Sequence, residues 1–66
     1  MRDFELYIED DRYNTPTLLF IHVSDEQRAL EVAEQKLREC ERHRGVEVRE
    51  KGARLFGLGS LAAESD

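Results

Sequence analysis

The chain has 66 residues and a formal net charge of −5, from 10 basic and 15 acidic side chains. A chain of this length holds one domain with a marginal core, which excludes a two-domain enzyme built around an interdomain cleft. Its longest apolar run, Leu18-Leu19-Phe20-Ile21, falls far short of the ~20 residues of a membrane span.

Residues 3 to 9 alternate Phe4, Leu6 and Ile8 with Glu5, Tyr7 and Glu9. That period of two predicts a half-buried strand. Asp10-Asp11-Arg12-Tyr13-Asn14 reads as a polar turn, and Thr15-Pro16 opens a second strand through Thr17-Leu18-Leu19-Phe20-Ile21-His22-Val23. The two strands are expected to form a hairpin.

Ser24 fits a helix N-cap, with Gln27 completing a capping box and Asp25 and Glu26 suiting the positive end of the dipole. The predicted helix runs from Asp25 to His43, with Leu30, Ala33, Leu37 and Cys40 on its apolar stripe. Arg42, His43 and Arg44 then occupy the last turn, and Gly45 is the expected C′ residue. Val46-Glu47-Val48-Arg49-Glu50 alternates again. Lys51-Gly52 turns the chain into a fourth strand, Ala53-Arg54-Leu55-Phe56-Gly57-Leu58, in which Leu55 should face Val48 and Phe56 should face Glu47. Residues 1–59 therefore read as one domain, and 60–66 as a frayed tail.

The order ββαββ predicts a two-layer α+β fold, with one helix on one face of a four-stranded, mainly antiparallel sheet. The preferred strand order is 2-1-3-4. Placing strand three beside strand two is the main alternative.

One helix covers one face. Phe4, Leu6, Ile8, Leu19, Ile21, Val23, Val48 and Leu55 are assigned to it. The opposite face then carries Tyr7, Leu18, Phe20 and Phe56, beside His22, Glu47, Arg49 and Arg54. Large apolar side chains in water forfeit ~1.5–3 kcal/mol each, so this patch predicts an interaction surface. Tyr7, Leu18, Phe20 and Phe56 are the candidate interface. Three occupants are open: a second copy of the chain packed sheet on sheet, a tail or loop of the same chain, or a different partner. Pairing along the edge of strand two is a separate route to a homodimer.

Other chemistry is sparse. Glu9-Asp10-Asp11 lacks the spacing of a calcium loop and reads as a solvated turn. Cys40-x-x-His43 is half of a zinc spacing, and His22 is the remaining imidazole, so no metal or cofactor is expected. A single Cys/His pair without a pocket predicts no enzyme. The basic residues gathered at positions 42–54 suggest an alternative, a nucleic-acid-binding module using Arg49, Arg54 and Phe56. The negative net charge and the absence of an RNP signature oppose it. The helix lacks aromatic anchors for a membrane surface. One cysteine forms no internal disulfide, and Met1-Arg2-Asp3-Phe4-Glu5 shows no apolar leader, so a cytoplasmic location is expected.

Nearly all of the chain before Gly59 resembles short bacterial ββαββ proteins of about this size. The resemblance rests on Leu6-Tyr7-Ile8-Glu9-Asp10-Asp11-Arg12-Tyr13, Thr17-Leu18-Leu19-Phe20 and Val46-Glu47-Val48-Arg49. It implies a bacterial cytoplasmic origin and carries no activity with it.

Overall fold

Alternation drives the first strand as expected. In the computed structural model, which describes residues 1–62, β1 spans Arg2–Asp10 and buries Phe4, Leu6, Ile8 and Asp10 on one side. β2 (Thr17–Val23) pairs antiparallel with it, without a register break, from Arg2↔Val23 to Ile8↔Thr17. α1 spans Glu26–Glu39, β3 His43–Glu50 and β4 Ala53–Gly59. The four strands form one antiparallel sheet in the order β2-β1-β3-β4. The fold is thus the two-layer ββαββ arrangement that the pattern predicts.

The helix is shorter than its sequence suggests at both ends. Asp25, not Ser24, is the N-cap, and its carboxylate accepts from the Arg28 amide at 3.0 Å. A carboxylate one residue later satisfies the same orphan amides and adds negative charge at the dipole's positive end. The helix stops at Glu39, and the local stop signal at Gly45 is overridden. Gly45 pairs with Glu9 and His43 with Asp10, so these two residues join the sheet in place of the helix, with Arg44 the extra residue at a bulge between them. His43 also closes the helix end, because its Nδ1 donates to the Lys36 carbonyl at 2.6 Å and its amide to the Cys40 carbonyl at 3.0 Å. Cys40 consequently leaves the apolar stripe. It is a half-buried free thiol at the C-cap.

The core is small. Phe4, Leu6, Ala29, Ala33, Val46 and Val48 are fully buried, and Ile8 nearly so. α1 packs mainly over β3, with lighter contact to the other strands. Lys51 and Gly52 both take positive φ (54° and 82°), the twist a two-residue hairpin needs.

A bulge in β4 changes which face its side chains occupy. Arg49 pairs with Arg54, but Val48 pairs with Phe56, so Leu55 is the extra residue. The expected Val48–Leu55 register is therefore corrected to Val48–Phe56. Paired residues share a face, so Phe56 lies with Val48 on the helix side. Both Leu55 and Phe56 pack against the core. A one-residue slip moves every later side chain across the sheet.

The last described residues also fold back. The amides of Ser60, Leu61 and Ala62 donate to the carbonyls of Arg44, Leu58 and Gly59. The rest of the tail expected to fray, 63–66, lies outside the described residues.

Candidate functional site

The sheet face away from α1 divides into two halves. Register brings Asp3, Glu5, Tyr7 and Glu9 of β1 to it, with Leu18, Phe20 and His22 of β2 and Glu47 and Arg49 of β3. Three of the four candidate interface residues, Tyr7, Leu18 and Phe20, are on this face. Phe56 is not, for the reason of the bulge.

The β3–β4 half is polar, and its charged side chains converge on Glu47. Glu47 receives Arg54 Nε at 2.9 Å and Arg49 Nη2 at 3.2 Å. The Arg49 guanidinium also stands 4.8 Å over the Tyr7 ring, a cation–π contact that covers this aromatic. Arg49 Nε is buried without a hydrogen-bond partner. The 60–62 turn crosses the same half. Ser60 Oγ donates to Glu9 at 2.5 Å, and Arg54 Nη2 donates to the Leu61 carbonyl at 2.7 Å. Glycine permits the crossing. A Cβ on Gly57 would run into the Leu61 carbonyl, and one on Gly45 would sit 2.6 Å from Ser60 Oγ. The sequence shows these glycines, but their purpose is visible only once the chain has turned back over them.

The β2 half is apolar and open. Phe20 is 67% exposed and Leu18 46%. Beyond them His22 Nδ1 hydrogen-bonds the Asp3 carboxylate in an exposed pair. On the helix side of β2, Leu19, Ile21 and Val23 are only half-buried. β2 is an edge strand, so its outer backbone groups are unpaired within the sheet. It contains no charged residue.

The residues weighed for nucleic-acid contact are dispersed or engaged. Arg49 and Arg54 converge on Glu47, while Phe56 is on the other face. The acidic turn and the two histidines are engaged by other groups, while the Cys40 thiol is free. Asp10, 3% exposed, accepts from the Arg12 amide and Nε at 2.9 Å each and from Arg12 Nη2 at 2.5 Å. These hydrogen bonds hold its carboxyl well below the usual carboxylate range. His43 Nε2 stands 3.6 Å from the same carboxylate. Asp11 lies near Arg42 and Arg44, and Glu9 takes Ser60. Among the described residues no group of three or more His, Cys, Asp or Glu side chains converges.

A hollow of about 730 Å³ opens at the end of the sheet beside β2, bordered by Arg2, Asp3, Phe20, His22 and Glu50. Its polar groups face each other. Arg2 donates to both Glu50 oxygens, at 2.7 and 3.0 Å, and Asp3 takes His22. Met1, Phe20 and Ile21 give it an apolar rim, and Glu5 and Lys51 also border it. No helix among the described residues is long and apolar enough to cross a membrane. No family model, curated protein or solved structure matches the chain.

Proposed function

We propose that the chain is a small, non-enzymatic interaction module that works in the bacterial cytoplasm as a homodimer joined along the β2 side of its sheet. The observation that carries this reading is an uncharged edge strand bearing Leu18 and Phe20 in the open. Natural sheets shield such edges with charge, proline, bulges or a covering segment. Here β4 has a bulge, Arg54 and the 60–62 turn, while β2 has only Pro16, just before its first residue. A core this small gains stability when association covers further apolar surface.

Light scattering after size exclusion tests the reading. At ~100 μM the expected mass is twice the chain's 7.7 kDa. Phe20→Ser should return it to the single-chain value without unfolding it, since Phe20 is exposed. A wild-type chain that stays at the single-chain mass contradicts the proposal.

A further inference from the structure

Deepening that proposal, and resting on it, we infer that two copies join edge to edge: β2 pairs antiparallel with the partner copy's β2, centred on Phe20, to give one continuous eight-stranded sheet. Sheet-on-sheet packing would cover one face only. β2 is incompletely covered on both faces, with Leu18 and Phe20 on one side and Leu19, Ile21 and Val23 on the other. Lateral addition of a strand covers both sides together and pairs the free backbone groups as well. The rest of the open face opposes stacking, since Glu47, Arg49, Arg54 and the 60–62 turn occupy it. α1 packs mainly over β3, two strands from this edge, so the approach is clear.

The occupant is a second copy because the strand is complementary to itself. A two-fold axis normal to the sheet must keep facing residues on the same side, so it passes beside a single residue and its own copy. Centring on Phe20 pairs all seven residues of β2. Moving the centre by one residue leaves only five of the seven paired. In the full register Phe20 faces Phe20 of the partner subunit, and Leu18 faces His22 of the partner subunit. Leu19 faces the partner's Ile21, and Thr17 faces the partner's Val23. No charge meets a charge, and the aromatic pair lies on the axis, where such pairs add to sheet stability. Pro16 ends the pairing at both ends, one from each copy, because it has no amide to donate.

Cysteine scanning of the full chain in a Cys40→Ser background tests the register, with oxidised glutathione as the oxidant. Facing residues of an antiparallel pair lie ~4.5–5.5 Å apart at Cα, within the ~4.4–6.8 Å that a disulfide spans. Phe20→Cys should convert to a covalent dimer. Leu18→Cys and His22→Cys alone should not, because each would stand ~13 Å from its own copy. The Leu18→Cys/His22→Cys double variant should crosslink again. Light scattering on the Cys40→Ser parent, which keeps Phe20, separates the two levels of the claim. A doubled mass with crosslinking at position 18 or 22 alone, or at none of these positions, overturns the edge register but leaves the homodimer. A single-chain mass overturns both.

Discussion

Asp10 is the one buried charged side chain among the described residues, and it joins three parts of the fold. It anchors the turn after β1 through Arg12 and faces His43, which in turn closes the end of α1. Its carboxyl is held below its ordinary range first by the Arg12 hydrogen bonds, and burial opposes them. A carboxyl whose folded pKa is depressed lends stability that is present above the unfolded value. That stability is lost as pH falls through the folded one. Glu50, held down by Arg2, has the same sign. The chain should therefore lose stability below pH ~4. Asp10→Asn should be less stable at neutral pH and show a flatter acid limb in urea titrations; an unchanged limb would remove Asp10 from this role. Phe4, fully buried, should cost about 3–5 kcal/mol as Phe4→Ala in the same titrations.

At the scale of elements, strand periodicity carried the reading, and features fixed by distant contacts escaped it. Phe4, Leu6 and Ile8 announced the buried face of β1, and the Lys51-Gly52 turn announced the last hairpin. The bulge at Leu55 has no local signature, since Arg-Leu-Phe extends equally well in either phase, so the pattern alone puts Phe56 on the face opposite to the one it takes. Arg42, His43, Arg44 and Gly45 satisfy the local rules for a helix C-terminus, but sheet pairing claims His43 and Gly45 and the helix ends at Glu39. The exposure of Leu18 and Phe20 is legible in an apolar run with no polar alternation. Tyr7 is shielded by Arg49, a cross-strand contact that only register reveals. The 60–62 turn yields a prediction at this scale. Gly57→Ala should push Leu61 off the sheet, cost about 1–3 kcal/mol, and speed amide exchange at Ser60 and Leu61. Unchanged exchange there would mean that the turn is not held by this approach.

For the whole molecule, charge and apolar surface act in opposite directions. Each copy carries −5, so two copies repel at long range, yet the strand through which they are proposed to meet has no charge of its own. Salt should therefore strengthen the dimer. Sedimentation equilibrium should show tighter association at ~150 mM than at ~10 mM salt. A nucleic-acid complex formed through Arg49 and Arg54 would respond the other way. Folding and association are linked by mass action, so the midpoint of thermal unfolding should rise with protein concentration for the wild type and not for Phe20→Ser. The most direct measurement is residue-resolved amide hydrogen exchange at ~5 and ~500 μM. Those amides of residues 17–23 that point away from β1 should become slower at the higher concentration, while the outer amides of β4 should not change. Equal and rapid exchange of the outer β2 amides at both concentrations would contradict edge-to-edge pairing.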